Sequence, residues 1–237
     1  MLDNQRAYRI YIMTTLLHLD SSARPGNSAN QPFGSHTRRL TSRFVARWQA
    51  AHPDDTVIYR DLGAHPPQHV TGDWIHAAFT KPEQRLPWMH TVLQESDQLI
   101  DELCAADLVV AGVPMYNFNV PAQFKAYIDN IVRVGRTFGF DRGRAGAPYW
   151  PLLDQQRKSF VILSSRGDYG YGQRIVHMNH VEPSVTTALG YIGITEVHGA
   201  AIEFDEFGDE RLQASIVAAE SHVDELVTLL STQRQPV

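Results

Sequence analysis

The sequence is poor in cysteine, since its 237 residues contain only Cys104. A single cysteine excludes an intramolecular disulfide and fits a reducing compartment, so we expect a cytoplasmic protein. The formal net charge is −5, and Lys and Arg form no block. Because nucleic-acid-binding surfaces usually need clustered basic side chains, we expect no nucleic-acid partner.

Long hydrophobic runs are also absent. The apolar run 10–17 follows Arg6 and Arg9 and faintly resembles a signal peptide, but it lacks the small-x-small cleavage pattern. The run is far too short to span a bilayer. We therefore predict that it belongs to the first strand of the fold and that the protein has no membrane partner.

Two common ligand-binding motifs are missing as well. The chain has no Walker lysine pattern and no Gly-x-Gly-x-x-Gly after its first apolar run, which argues against a tightly held nucleoside triphosphate or dinucleotide. The pairs His65/His69 and His177/His180 have helical spacing, but two prolines interrupt the first pair and no obvious carboxylate accompanies the second. We expect no metal site.

What the chain does contain is an alternation of short apolar segments with amphipathic ones. The predicted strands are Tyr8–Leu19, Thr56–Tyr59, Leu108–Val113, Lys158–Leu163 and Ile194–Ile202. The predicted helices are one beginning after Ser35, a short one at Asp73–Phe79, Trp88–Ala105, Pro121–Val134, Val181–Leu189 and Glu210–Leu230. Such alternation predicts an α/β fold with a parallel sheet and helices on both faces. No repeat or linker divides the chain, so we expect one domain over residues 1–237, with a frayed terminus at Met1–Gln5 and a polar tail at Ser231–Val237.

Three loops at predicted strand ends have unusual compositions. An open parallel sheet binds ligands beyond the carboxyl ends of its strands, where the strand order reverses. With the order 2-1-3-4-5, strands one, three and four are neighbours, so the loops that follow them converge. We therefore expect a single binding site at this edge of the sheet.

The first of these loops has hydroxyl groups before a helix. Ser22, Ser35 and Thr37 could donate hydrogen bonds to phosphate, with help from the backbone amides and dipole of the helix. The alternative is that Ser35 only caps the helix. The sequence leaves both interpretations open for this loop.

The other two loops differ from the first in composition. Pro114–Asn119 combines backbone amides, two Asn side chains and two aromatic rings, a set that could frame a planar heteroaromatic ring. The alternative is a loop packed on its own aromatics. Ser165–Gly172 is rich in glycine and allows close backbone approach to a ligand, or else is simply a flexible loop. Cys104, near the end of an amphipathic helix, is interpreted as a buried structural residue.

At this point the motifs resemble those of a known family. The block PMYNFNVP at Pro114–Pro121 closely resembles the FMN-dependent NADH:quinone reductases known as azoreductases. Further similarity lies in Gln123–Lys125, Asp129, Ser164–Gly167, Leu189–Ile194, and the pair Ser21-Ser22 with Ser35–Thr37. The resemblance extends from about Ile10 to Leu230, and the Met-Tyr-Asn-Phe block is its most specific part.

The resemblance implies a flavodoxin-like homodimer with one tightly bound FMN per subunit. By position, the phosphate would be held by Ser22, Ser35, His36 and Thr37. The isoalloxazine ring would be bordered by Met115, Tyr116, Asn117 and Phe118 on one edge and by Ser165, Arg166, Gly167 and Asp168 on the other. Family members take hydride from NADH or NADPH at flavin N5 and then reduce a quinone or azo compound, so no catalytic side chain is expected.

This sequence departs from the family pattern in three places. The segment between Ser22 and Ser35 is longer than usual, Asp168 stands where many members have a second glycine, and Gly135–Gln156 is rich in Arg and Pro. Two other functions stay open. One is an FMN-binding electron-transfer or regulatory protein with little NAD(P)H turnover, and the other is a hydrolase using Ser165.

Overall fold

The computed structural model describes residues 13–233. The predicted frayed terminus, the part of the first predicted strand before residue 13 and the tail after residue 233 lie outside the described residues. The strands are β1 (Thr15–Asp20), β2 (Thr56–Asp61), β3 (Leu108–Pro114), β4 (Phe138–Phe140), β5 (Tyr149–Pro151), β6 (Ser159–Ser165) and β7 (Glu196–Ile202). The α-helices are α1 (His36–Ala51), α2 (Gly72–Phe79), α3 (Pro87–Ala105), α4 (Ala122–Ile131), α5 (Val181–Ile192) and α6 (Glu210–Gln233).

Five of the strands form one parallel sheet in the order β2-β1-β3-β6-β7. These five are the predicted strands one to five, so the predicted order 2-1-3-4-5 is confirmed. Leu17 pairs with Val109, and Val109 pairs with Phe160, which fixes the register of the three central strands. The carboxyl ends of β1, β3 and β6 therefore lie side by side.

The apolar core consists of two clusters, because successive side chains of a strand point to opposite faces of the sheet. Leu17 of β1 packs with residues of α3, α4 and α5, including Ile100 and Phe124. Leu16 packs instead with residues of α1 and α6, including Phe44. Full burial of a side chain of this size contributes about 1.5–3 kcal/mol, so both clusters stabilise the sheet that positions the loops. Cys104 is only partly buried against the first cluster, which corrects the expectation of a buried residue.

The stretch Gly135–Gln156, interpreted from the sequence as irregular, contains the antiparallel hairpin of β4 and β5. Its aromatic side chains form a cluster, with Phe140 stacked on Tyr149 at 4.7 Å and Phe138 against Tyr191 of α5 at 5.1 Å. Strands of three residues are too short to show an alternating pattern, which explains why the hairpin was missed.

Helix α4 is shorter than the predicted Pro121–Val134. It ends at Ile131 because the hydroxyl of Thr137 accepts a hydrogen bond from the amide of Arg133 and donates one to the carbonyl of Ile131. The side chain of Thr137 thus makes hydrogen bonds with backbone groups that would otherwise bond within a further helical turn. Among the described residues, no helix is both long and apolar enough to cross a membrane.

Candidate functional site

The loops after β1, β3, β6 and β7 meet at the carboxyl edge of the sheet and surround a cavity of about 170 Å³. Most of the predicted site residues line it, namely Ser22, Ser35, His36, Met115, Tyr116, Ser165, Arg166 and Gly167. The predicted residues outside the lining are Thr37, Asn117, Phe118 and Asp168. The convergence expected from the strand order therefore occurs.

Ser35 is the N-cap of α1, as one interpretation of the first loop required. Its backbone is extended, and its hydroxyl accepts a hydrogen bond from the amide of Arg38 at 3.2 Å and contacts the Thr37 hydroxyl at 2.9 Å. Capping does not exclude anion binding, because the first amides of a helix lack intrahelical partners. Together with the helix dipole they favour an anion by about 0.3–1 kcal/mol. The hydroxyl of Ser22 accepts from the amide of Arg24 at 3.2 Å, which leaves its own hydrogen for a further acceptor.

The first loop is held in place by Arg38, a residue that sequence reasoning missed. Its buried guanidinium donates to the carbonyls of Ser22 and Arg24, both at 3.1 Å. It also makes two hydrogen bonds to Asp61, at 2.7 and 2.8 Å, and one to Asp20 at 3.4 Å. Burial opposes the negative charge of Asp61, but the hydrogen bonds from Arg38, the amide of Ala64 and the Tyr59 hydroxyl, together with the charge of Arg38, outweigh it and lower the pKa of this carboxyl group. The sequence feature that could have indicated this ion pair is the acidic residue Asp61, just beyond the predicted second strand.

The second loop is a tight two-residue turn. The amide of Tyr116 donates to the carbonyl of Asn119 at 2.9 Å, and the reverse bond measures 3.1 Å. The two central residues, Asn117 and Phe118, have φ values of +47° and +72°. Phe118 is 43% exposed, so the loop is not packed on its own aromatics. The Tyr116 hydroxyl accepts from the amide of Ala23 at 3.1 Å, which joins this loop to the first one.

The third loop is anchored by Arg166, whose side chain forms ion pairs that stabilise the loop. Arg166 is only 7% exposed, and its guanidinium pairs with Glu182 and, at 3.3 Å, with Glu203. Glu203 also accepts from the amide of Gly170 at 2.9 Å. These contacts fix the backbone that borders the cavity at Gly167.

Asp168, the unusual acid of the third loop, turns to the surface. Its carboxylate accepts a hydrogen bond from Arg174 at 2.8 Å. The amide of Tyr169 and, after it, the guanidinium of Arg174 hold the pKa of Asp168 below its usual value. The carboxylate therefore has a partner outside the cavity.

Three further lining residues, Arg24, Asp205 and Glu206, were missed by sequence reasoning. The Oδ1 atom of Asp205 lies 3.1 Å from Nε2 of His36, and this hydrogen bond lowers the pKa of Asp205. The amides of Asp205 and Glu206 donate to the carbonyls of Arg166 and Gly167, so the loops after β6 and β7 form one wall. The sequence feature that could have indicated Asp205 is its position three residues after the last predicted strand, in the loop at that strand's carboxyl end.

The donor set fits a phosphorylated flavin. Hydroxyl groups and the free amides of α1 suit the phosphate, whereas the backbone and side chains of Met115 and Tyr116 suit the edge and face of a flat ring. At Gly167, a Cβ atom would overlap the carboxyl group of Glu206, so a larger residue there would require that flexible side chain to move. Among residues 13–233, no group of three or more His, Cys, Asp or Glu side chains is arranged to hold a metal ion.

Comparisons with known proteins agree with this geometry. Residues 14–227 match a family model described as having the flavodoxin-like fold. The chain is 38% identical over 221 residues to FMN-dependent NADH:quinone oxidoreductase 2 of Idiomarina loihiensis, covering 92% of this chain and 91% of that one. It is 42% identical to FMN-dependent NADH:quinone oxidoreductase of Nostoc punctiforme, covering 85% and 93%.

Among solved structures, an azoreductase from Bacillus anthracis superposes with a TM-score of 0.78 at 24% identity, over 91% of this chain and 99% of that one. An FMN-dependent NADH-azoreductase from the same species, solved in complex with FMN, gives a TM-score of 0.77 at 15% identity, over 92% and 99%. At these identities the likeness shows a shared fold.

Proposed function

Because this chain belongs to the family of FMN-dependent NADH:quinone oxidoreductases with the flavodoxin-like fold, we propose that it is an NAD(P)H oxidoreductase that reduces quinones, azo compounds or both. Its resident cofactor is FMN. The observation that carries the proposal is the convergence of the three predicted loops, after β1, β3 and β6, around one cavity.

The phosphate of FMN binds at the start of α1. The hydroxyls of Ser22 and Ser35 donate to it, and the amides of His36 and Thr37 direct the positive end of the helix dipole toward it. The capping role of Ser35 supports this arrangement, since its bond to Arg38 fixes the first turn of the helix. Thr37 acts through its backbone, because its hydroxyl contacts Ser35.

The flavin ring lies between the second and third loops. Met115, Tyr116, Asn117 and Phe118 border one edge, and Ser165–Asp168 flank the other. When bound, FMN would supply the redox chemistry, with N5 as the site of hydride transfer from NADH or NADPH and with two-electron transfer to the acceptor completing a ping-pong cycle. The protein binds and orients the cofactor and provides fixed polar groups around it. No side chain is needed as a proton-transfer catalyst.

We also propose that residues 1–237 form one cytoplasmic domain with helices on both faces of the sheet, and that two subunits form the working assembly. The division of the core into an α3–α4–α5 cluster and an α1–α6 cluster supports the arrangement of the helices. Light scattering during gel filtration tests the assembly. A mass near twice the chain mass of 26.7 kDa is expected, and a mass of one chain contradicts the dimer.

The test of the function is a visible spectrum of the purified protein before and after NADH, followed by steady-state turnover with menadione. We expect flavin absorbance that NADH bleaches and that menadione restores, with sustained NADH oxidation. Bound FMN without NADH oxidation would instead favour the electron-transfer or regulatory alternative. Absence of flavin absorbance, with no binding of added FMN, would refute the proposal.

The placement of the ring has its own test in the second loop. We expect Asn117→Ala and Phe118→Ala to weaken FMN retention or slow flavin reduction, since both change the turn that borders the ring. Stopped-flow reduction by NADH and titration with FMN measure the two effects. Normal affinity and normal reduction in both variants would show that the ring lies elsewhere.

A further inference from the structure

The cavity contains acidic groups where a phosphate is expected. Asp205 and Glu206 line it together with Ser22 and His36. A phosphate monoester carries close to two negative charges at neutral pH, and like charges at short range repel. Phosphate binding at this place therefore needs a cation that offsets both the ester and its acidic neighbours.

Two arginines line the cavity, and the structure holds them very differently. The side chain of Arg166 is 7% exposed and has two acidic partners, Glu182 and Glu203. The side chain of Arg24 is 54% exposed, and its ion pair with Asp205 is long, at 3.5 Å. Arg24 is thus the arginine of the cavity wall that can change partner at small cost, because exposed ion pairs contribute only about 0–1 kcal/mol.

The backbone of Arg24 is fixed although its side chain is exposed. Its amide donates to the Ser22 hydroxyl at 3.2 Å, and its carbonyl accepts from Nε of the buried Arg38 at 3.1 Å. Arg38 is itself held by Asp61. The guanidinium of Arg24 therefore starts from an anchored position beside the hydroxyl assigned to the phosphate.

We propose that Arg24 is a phosphate-binding residue that exchanges Asp205 for the phosphate when the cofactor binds. Its planar set of N–H donors matches phosphate oxygens with two parallel hydrogen bonds, which a single hydroxyl does not provide. Asp205 keeps His36 as a partner after the exchange. Arg24 thereby provides much of the preference for FMN over riboflavin. This inference rests on the proposed function, since it presumes that the cavity binds a flavin.

The test compares two ligands that differ only in the phosphate. Dissociation constants for FMN and riboflavin are measured by quenching of flavin fluorescence with protein from which the cofactor has been removed. We expect Arg24→Gln to lower the FMN-to-riboflavin affinity ratio at least tenfold and to leave riboflavin affinity unchanged. Raising the salt concentration should reduce the ratio in the wild type more than in the variant, because part of the attraction is lost with the charge.

Arg47→Gln is the matched control. Arg47 is 57% exposed and has one acidic partner, Asp224 at 3.2 Å, but it lies on α1 away from the cavity lining. We expect both flavin affinities to stay at the wild-type values.

Asp205→Asn is the complementary variant and should raise the FMN-to-riboflavin affinity ratio, because it removes both the resting partner of Arg24 and a negative charge from the cavity.

Each remaining outcome contradicts the inference in a distinct way. Equal losses of FMN and riboflavin affinity in Arg24→Gln would show that Arg24 only supports the loop. An unchanged ratio, in a wild type that prefers FMN, would show that the phosphate is bound without Arg24 and would leave the proposed function intact. A lower ratio in Asp205→Asn would exclude competition for Arg24. A wild type that binds neither flavin would overturn this inference and the proposed function together.

Discussion

Phe118 is the residue with the least favourable backbone in the candidate site. Together with Asn117 it places two successive non-glycine residues in the left-handed region, with φ values of +72° and +47°. Asn tolerates this region, whereas a residue such as Phe is destabilised there by about 1–2 kcal/mol. Strain of this kind tends to occur at functional sites, where the surrounding structure enforces it. Here the reciprocal bonds between Tyr116 and Asn119 close the turn.

We expect Phe118→Gly to be more stable to unfolding than Phe118→Ala by about 0.5–1 kcal/mol. Glycine removes the penalty of about 1–2 kcal/mol for the left-handed conformation. Part of this stabilisation is lost because glycine increases the conformational entropy of the unfolded chain. Urea unfolding of both variants measures the difference, and Ala is the reference because it also removes the half-exposed ring. Equal stability of the two variants would show that the turn stores no strain.

Cys104 provides a second prediction for a single residue. Burial raises the pKa of its thiol, so the group is protonated and weakly nucleophilic at neutral pH. We expect slow reaction with Ellman's reagent in the native protein, fast reaction after unfolding in urea, and unchanged FMN affinity in Cys104→Ser. Rapid labelling of the native protein would contradict the assignment of a structural role.

The loops after β6 and β7 form one structural element of the site. Backbone bonds from Asp205 and Glu206 to Arg166 and Gly167 connect them, and Glu203 adds a side-chain link to the amide of Gly170. The wall that flanks the ring therefore depends on a carboxylate at the end of β7. A change in that carboxylate alters the shape of the wall, while the first loop and the start of α1 keep their own contacts at Ser22 and Ser35.

We expect Glu203→Ala to weaken FMN and riboflavin binding by similar factors, in contrast to the phosphate-specific effect expected for Arg24. Loss of hydrogen bonds to a charged group also lowers the free energy of unfolding, by about 1.5–3 kcal/mol. Flavin titration and urea unfolding measure both effects. Glu196→Ala is the control, because Glu196 begins the same strand but its side chain is 41% exposed. A change in FMN affinity alone would contradict the assignment.

At the level of elements, the sequence was sufficient wherever apolar periodicity extended over several turns or residues. Leu108–Val113 and Trp88–Ala105 were found to within one residue at each end. The hairpin of β4 and β5 was missed because its strands are short and its stability comes from contact with Tyr191, far along the chain. The end of α4 was misplaced because a threonine side chain, outside the helical pattern, terminates it.

At the level of the whole molecule, the candidate site was predictable only where local sequence and strand order were enough. Ser22, Met115 and Ser165 lie at the carboxyl ends of strands whose adjacency is given by the order of the sheet. The pair Arg24 and Asp205 is separated by 181 residues, and no local pattern connects them. Long-range ion pairs depend on the full path of the chain, which explains why the acidic wall was not foreseen.

A second long-range group, formed by Arg38 with Asp20 and Asp61, joins β1, β2 and α1 below the first loop. Burial disfavours the charge of both carboxylates, yet for Asp61 the hydrogen bonds from Arg38 and for Asp20 the contacts with His18, Thr41 and Arg38 lower the pKa. A folded-state pKa below the unfolded value means that the unfolded chain binds more protons in acid. These groups therefore contribute stability above the unfolded Asp pKa of about 3.9, and the contribution is lost as the pH falls through the folded value.

The expected consequence is that the free energy of unfolding differs between the wild type and Asp61→Asn by an amount that depends on pH. At pH 7 the variant should be less stable by about 2 kcal/mol, because Arg38 loses hydrogen bonds to a charged partner. As the pH falls below about 4, the unfolded wild-type chain takes up the proton first, so the difference in stability should shrink, and it should be lost as the pH falls through the lower folded-state pKa of Asp61. Urea unfolding at pH 7, 5, 4 and 3 measures the difference, with Asp129→Asn, an exposed helix-surface pair with Lys125, as the control. A difference that stays constant down to pH 3 would mean that the loss comes from altered packing, and that the charge of Asp61 does not hold Arg38 and the first loop in place.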